Sequence, residues 1–190
     1  MRIFEQVAML LFRPREAWEA IAHDRIGIDA LIRRYILPFS LLAPIATVIG
    51  MSTFDREWDP AAGYLVPPDA IYSAGSATLF GTIISIFTLA AIFKLIAPMY
   101  GSSRDYGAAL RVATFGAIPL LLAGATLFFP AMVMVTVVAL TYTLYQYWLG
   151  VGRVLNVSAG AQTEFIGISM TMLGGASTLA GAFLSSIGVF

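Results

Sequence analysis

Five long apolar segments constrain this chain more than any other feature. Each is about as long as the 20 or so residues that a helix needs to cross the hydrocarbon core of a bilayer. Because lipid offers the backbone no hydrogen-bond partners, such segments must be helical. The sequence therefore predicts an all-α integral membrane protein with a five-helix transmembrane domain over residues 31–190. The predicted spans cover residues 31–52, 70–98, 105–129, 130–153 and 164–188.

The composition agrees with this class. Hydrophobic residues make up 59% of the chain and charged residues only 12%, whereas soluble domains carry about 25% charged residues. The chain has no cysteine, which excludes disulfides and thiolate metal sites. Its single histidine, His23, has no second nitrogen or thiolate ligand to join it, so we expect a surface residue and no metal.

Residues 1–30 are predicted to form amphipathic helices at the membrane interface on the cytoplasmic side. Pro14 suits the first turn of a second helix, and that helix ends before Gly27. Two interpretations remain open: a platform that docks on a membrane surface or partner, or an anchor that covers the ends of the spans. The apolar face of these helices comprises Ile3, Phe4, Val7, Leu10, Leu11, Trp18 and Ile21.

The basic residues set the predicted orientation. Arg56 is the one base in the acidic loop of residues 53–68, and all other bases fall on the opposite side of the five predicted spans. The positive-inside rule then predicts a cytoplasmic amino terminus and a carboxyl terminus on the opposite side. The same loop resembles the start of a calcium loop, but Pro60 and Val66 stand where a glycine and a glutamate are needed, so we reject that site.

The third and fourth spans form a predicted hairpin with a tight turn at residues 128–130. Its charged ends suggest that Arg104, Asp105, Arg111 and Arg153 bind lipid headgroups or the acidic segment of a partner. The alternative is a solvated basic rim in which Asp105 caps a helix. Pro119 would free a carbonyl within the third span and serve as a hinge, and residues 145–148 are expected to form an aromatic girdle.

Small residues in the fifth span form two series. They let helices approach closely in lipid, so they predict either packing inside the bundle or a homo-oligomer. The series are Gly167, Thr171 and Gly175, and Ser177, Gly181 and Ser185.

Hydroxyl residues follow one face of the second span. Thr82, Ser85 and Thr88 would either line a polar path or form hydrogen bonds between helices. Neither converging titratable groups nor a phosphate-binding glycine loop stands out in the sequence, so we expect no enzyme activity and no cofactor.

Several segments together resemble the YIP family of five-span membrane proteins, the Ypt/Rab-interacting group, in its short bacterial form. They cover residues 11–14, 16–18, 21–22, 113–119 and 145–157, together with the loop at Gly101. The resemblance implies a five-span fold and a bacterial inner membrane. Eukaryotic relatives act with Rab-type GTPases, but only about thirty residues precede the first span here and their Asp-Leu-Tyr-Gly-Pro motif is absent, which argues against a GTPase partner.

The predicted function is that of a non-catalytic membrane-organising or adaptor component. We expect it to bind membrane lipids, other membrane proteins or further copies of itself, and not nucleic acid. The alternative function is a transporter or channel for a small solute or lipid.

Overall fold

The computed structural model describes residues 3–24, 26–53, 68–102, 105–129 and 132–186. Every regular element in these ranges is a helix, which confirms the all-α class. The acidic loop, in which the calcium site was rejected, falls outside the described residues except at its edges. Arg104 and Pro130 also fall outside them.

Two short helices open the chain. Helix α1 covers Ile3–Phe12 and helix α2 covers Pro14–His23, with Pro14 in the first turn of α2. Leu10, Trp18 and Ile21 are fully buried. These three residues of the apolar face therefore pack against the rest of the protein, but Phe4, which was predicted on the same face, is 84% exposed.

A long helical stretch, Ile28–Thr53, follows and is locally irregular. A π-helical turn interrupts it before Pro38, and a second break precedes Pro44. Proline lacks a backbone N–H and its ring crowds the preceding turn, which accounts for such breaks. The parts are α3 (Ile28–Leu31), the π turn (Ile32–Ile36), α4 (Leu37–Ser40) and α5 (Leu42–Thr53).

Four longer helices complete the bundle. Helix α6 passes into a 3-10 turn that ends at Gly101, whose φ of 72° places it in the left-handed region that glycine favours. The helices are α6 (Pro68–Ile96), α7 (Tyr106–Gly124), α8 (Val133–Val154) and α9 (Gln162–Ser186), with 3-10 turns at Ala97–Tyr100 and Ala125–Phe128.

Helix α7 lies at the centre. It packs against α5, α6 and α8, while α9 packs mainly on α6. In the most apolar window of the α7 span, 83% of residues are buried, against 17% in the α9 span. The bundle therefore surrounds α7 and leaves α9 at its edge.

Among the described residues, four helical stretches are long and apolar enough to cross a membrane. They are Ile28–Thr53, Asp69–Tyr100, Tyr106–Phe128 and Gln162–Phe183. Helix α8 has 22 residues, a length of about 33 Å, but its second half carries Gln146 and several aromatic residues. An integral membrane protein is confirmed, and the count of five spans stays a prediction.

Candidate functional site

The amino-terminal helices are tied to α8 by buried hydrogen bonds. The Trp18 indole donates from Nε1 to Oε1 of Gln146 over 2.7 Å. Gln146 in turn donates from Nε2 to the Leu10 carbonyl, also over 2.7 Å. A buried amide is costly unless its hydrogen bonds are made, so Gln146 fixes α1 and α2 at one place on α8.

Close packing and further polar contacts complete this junction. Gly150 lets the Trp18 ring approach, since a Cβ built on Gly150 would lie 2.6 Å from the ring. The Tyr142 hydroxyl donates to the Leu11 carbonyl over 2.7 Å. Arg153 and Glu19 form an ion pair at 3.4 Å, but both side chains are about half exposed, so the pair adds at most about 1 kcal/mol.

The prediction of a continuous girdle over residues 145–148 is wrong. Tyr145 and Trp148 are 36% and 37% exposed, but Gln146 and Tyr147 are buried in the bundle. Successive residues of an α-helix differ in direction by about 100°, because 3.6 residues complete a turn. Four in a row therefore cannot all face lipid.

A basic cleft lies beside the junction, between α2, the end of α8 and the start of α9. Its volume is about 330 Å³, within the range of small-ligand sites. Two arginines reach it, one from α2 and one from α8, and Gln162 adds an amide. The lining residues are Arg15, Trp148, Leu149, Gly152, Arg153, Ala159 and Gln162.

The charge of the basic cleft is positive. Glu19 neutralises Arg153 in part, whereas no described carboxylate lies within ion-pair distance of the exposed Arg15. Gln162 donates to the Val157 carbonyl over 3.1 Å, so its amide oxygen can also accept. Such a cleft can receive an anionic group from the membrane surface or from another protein.

A second concavity, the intramembrane groove, lies between α5, α6, α7, α8 and α9. Its volume is about 450 Å³, and its lining is mostly apolar. Thr82 and Ser85 line it, but Thr88 does not. It is defined here by Thr78, Thr82, Ser85, Ala117, Thr136 and Leu173.

Comparison with known protein families identifies the chain. The family model of the Yip1 domain matches residues 8–182, almost the whole sequence. The chain belongs to the Yip1 family. The resemblance to the YIP family is thereby confirmed, whereas the short bacterial form stays a prediction. The Yip1 match covers the amino-terminal helices together with the bundle.

Neither a curated protein nor a solved structure matched this Yip1 family member. The match to the Yip1 domain establishes a membrane protein of that family. The chemistry of its sites must be argued from its own residues.

The described residues of the predicted charged site have different environments in the structure. Asp105 accepts a hydrogen bond from the Gly107 backbone over 2.9 Å and caps α7. Arg111 is only 8% exposed, and its Nε has no hydrogen-bond partner in the described part of the chain. Arg153 lines the basic cleft, Arg111 does not, and Arg104 lies outside the described residues.

Sequence reasoning missed Arg15 as a residue that lines the basic cleft and Gln146 as the centre of the junction. In the sequence, Arg15 contributed only to the predicted membrane orientation, although it directly follows Pro14, which is expected to start a helix. Gln146 is an amide within an apolar segment, which is a signal of a buried hydrogen-bond partner. Pro119 lies inside α7, which continues through it, and its role as a hinge stays a prediction.

Two threonine hydroxyls on the hydroxyl face of α6 donate hydrogen bonds within their own helix. Thr82 donates to the Thr78 carbonyl and Thr78 to the Ala74 carbonyl, each over 2.8 Å. These bonds join turns of α6 and not two helices. The Thr82 hydroxyl therefore does not link α6 to a neighbouring helix, and both Thr82 and Ser85 line the groove.

The small residues of the two α9 series whose side chains are described lie outside the packed bundle, and Ser185 falls outside the described side chains. Every described side chain from Gly174 to Phe183 is exposed. A Cβ built on Gly167, Gly175 or Gly181 would meet nothing within 4 Å. Packing within one chain does not explain these glycines, and a homo-oligomer through this face stays a prediction.

Proposed function

We propose that this protein is a non-catalytic membrane-organising component that holds anionic headgroups of lipids at its basic cleft. The single observation that carries this proposal is the convergence of Arg15 and Arg153 from two helices on one cleft. An adaptor role follows if the cleft brings lipids, or an acidic segment of another membrane protein, to a fixed place on the bundle.

The position of the basic cleft supports the proposal. Trp148 is partly exposed and lines the cleft, and tryptophan favours the boundary between membrane and water. Guanidinium groups bind phosphate through paired hydrogen bonds. The positive-inside rule would place this end of α8 on the cytoplasmic side, where anionic headgroups meet juxtamembrane arginines.

The test is lipid selection by the full-length protein. We would reconstitute it in nanodiscs with equal amounts of phosphatidylglycerol and phosphatidylcholine, and count the retained lipids by native mass spectrometry. The wild type is expected to retain phosphatidylglycerol preferentially. The double variant Arg15→Gln, Arg153→Gln is expected to lose that preference.

Arg33→Gln is the matched control, because it removes an exposed arginine that does not line the cleft. This control should select lipid as the wild type does. Equal retention of both lipids by the wild type, or an unchanged preference in the double variant, would contradict headgroup binding at the cleft.

A second candidate function is movement of a small solute or lipid. The observation in its favour is that Thr82 and Ser85 line the intramembrane groove. Alanine substitution of Thr82, Ser85 and Thr88 should then abolish flux in reconstituted vesicles. Absence of flux in the parent protein, or flux that survives the substitutions, argues against transport.

A further inference from the structure

Helix α1 exposes an apolar stripe on the side that faces away from the bundle. Phe4 and Phe12 are 84% and 83% exposed, and Ala8 between them is exposed as well. Because successive residues of an α-helix turn by about 100°, these three side chains fall within about 80° of arc. Exposed Glu5 stands about 20° beyond Phe12, at one margin of the stripe, and buried Leu10 stands about 160° from Ala8. Helix α1 is therefore apolar on its buried side and on its exposed side, which is typical of a helix that lies in an apolar environment.

Helix α2 exposes the opposite chemistry. Arg13, directly before it, is exposed and pairs with Glu16 at 3.5 Å. One alanine apart, the exposed residues within α2 are charged or polar: Arg15, Glu16, Glu19, Ala20 and His23. The exposed surface of the amino-terminal helices therefore changes from apolar to charged between Phe12 and Arg13, where α1 ends and α2 begins.

Contacts with α8 place the end of α1 at a different level from α2. The Tyr142 hydroxyl bonds to the Leu11 carbonyl, whereas Arg153 pairs with Glu19. Tyr142 and Arg153 are 11 positions apart, which is about 16 Å along the helix axis. The headgroup layer of one leaflet is only about 5 to 8 Å thick. With Arg153 at the water side of that layer, the end of α1 reaches the hydrocarbon.

The apolar stripe of α1 is continuous with an apolar surface of α8. Phe12 and Tyr145 line one surface depression, and Val138, about two turns before Tyr145, is 69% exposed. Exposed apolar patches mark contact with a membrane or with another protein, and continuity with α8 favours the membrane. Arg13 and Arg15 line the same depression, and their long side chains can extend to the headgroups.

We infer that α1 lies within the leaflet on the side of the basic cleft, with Phe4, Ala8 and Phe12 against acyl chains, whereas α2 lies among the headgroups. The boundary between hydrocarbon and headgroups then crosses the chain between Phe12 and Arg13. Interfacial helices bury their apolar face about 5 to 10 Å into this boundary. The sequence predicted both helices as one interfacial unit, and the exposed chemistry divides them. The inference does not rest on headgroup binding at the basic cleft, because the acyl chains of any phospholipid satisfy it.

Accessibility of a spin label tests the inference. The chain has no cysteine, so a single-cysteine variant carries one nitroxide. We would reconstitute full-length Ala8→Cys and Ala20→Cys in phosphatidylcholine vesicles and measure collisions with oxygen, which concentrates in hydrocarbon, and with water-soluble nickel ethylenediamine diacetate. Both alanines are exposed, so the pair is matched. The ratio of oxygen to nickel collisions should be several-fold higher in Ala8→Cys.

A second pair keeps the test valid if an alanine variant does not fold. Phe12→Cys and Glu16→Cys place the label about one helical turn apart, on the two sides of the inferred boundary. The label in Phe12→Cys should resemble that in Ala8→Cys, and the label in Glu16→Cys should resemble that in Ala20→Cys. The neutral lipid keeps both pairs independent of anion binding at the basic cleft.

Three results would overturn the inference. Equal nickel access at all four labels would place α1 in water. Shielding of the two α1 labels from both reagents would show that another protein chain covers the stripe. Oxygen access without nickel access at all four labels would place α2 in the hydrocarbon and remove the boundary between the helices.

Discussion

Trp18 and Gln146 are separated by 128 positions in the chain, yet the indole Nε1 of Trp18 donates to Oε1 of Gln146 over 2.7 Å. The amide nitrogen of the same glutamine donates to the Leu10 carbonyl. One buried side chain therefore joins α1 and α2 to α8. The basic cleft depends on this junction, because α2 carries Arg15 and α8 carries Arg153.

Gln146→Leu should detach the amino-terminal helices in part. The change removes both hydrogen bonds and leaves the buried Trp18 N–H unpaired, at a cost of about 1 to 3 kcal/mol. Unfolding in mixed micelles of sodium dodecyl sulfate and dodecyl maltoside measures the free energy, and limited proteolysis reports the exposure of α1 and α2.

A double-mutant cycle gives the control for this prediction. Trp18→Phe also breaks the indole bond, so the losses in Gln146→Leu and Trp18→Phe should sum to more than the loss in the double variant. Strictly additive losses would show that the two side chains do not stabilise the junction together.

Gly150→Ala should disturb the same junction through packing alone. Its new methyl group would lie 2.6 to 2.9 Å from three carbons of the Trp18 ring, and overpacking of this kind costs about 1 to 3 kcal/mol. The same unfolding assay measures the loss. Gly174→Ala adds the methyl group where nothing lies within 4 Å and should leave the junction intact.

The sequence alone predicts the apolar faces of the helices, but it does not predict which helices meet at the junction. Helical spacing places Leu10, Trp18 and Ile21 on apolar faces, and the structure buries all three. Spacing gives the direction of a side chain about its own helix axis and says nothing of the helix that it meets. The pairing of Trp18 with Gln146 and the convergence of Arg15 with Arg153 depend on tertiary contacts across more than 100 residues.

The intramembrane groove was visible in the sequence only as hydroxyl residues on α6. Thr82 and Ser85 share a face by their spacing, and the structure turns both to the groove. Thr136 comes from α8, and no local pattern links it to them. A cavity is a property of the space between helices, so residue spacing within one helix cannot give its volume or its ends.

Arg111→Met should raise the free energy of unfolding by about 1 kcal/mol or more. Arg111 is 8% exposed and its Nε has no hydrogen-bond partner in the described part of the chain. An apolar side chain of similar volume at such a site is often more stable than the charge. Arg33→Met, at an exposed position, should leave the free energy unchanged.

Lipid selection separates a binding role of Arg111 from a structural one. If Arg111 belongs to the predicted site with Arg104 and Arg153, Arg111→Met gains stability and retains less phosphatidylglycerol in the nanodisc assay. Under the same hypothesis, the paired change Arg104→Glu, Arg111→Glu should release anionic lipid from that site and lower the amount of phosphatidylglycerol retained. A lower free energy of unfolding in Arg111→Met, with unchanged lipid retention, would show that the guanidinium group stabilises the fold and does not bind lipid.

Helix α9 gives a test of the predicted homo-oligomer that does not threaten the fold. Gly175→Leu and Gly181→Leu add side chains where a Cβ meets nothing within 4 Å, so the free energy of unfolding of the single chain should change little. If copies of the chain meet through this face, the added bulk separates their backbones, since close approach in lipid depends on small residues. Chemical cross-linking in vesicles at low protein density should then show oligomers in the wild type and monomers in the double variant.

Ala139→Leu, on α8 and outside both small-residue series, is the control and should leave the cross-linking pattern unchanged. Oligomers of equal abundance in all three proteins would place any contact between copies elsewhere on the bundle, and monomers throughout would mean that the exposed glycines of α9 face lipid.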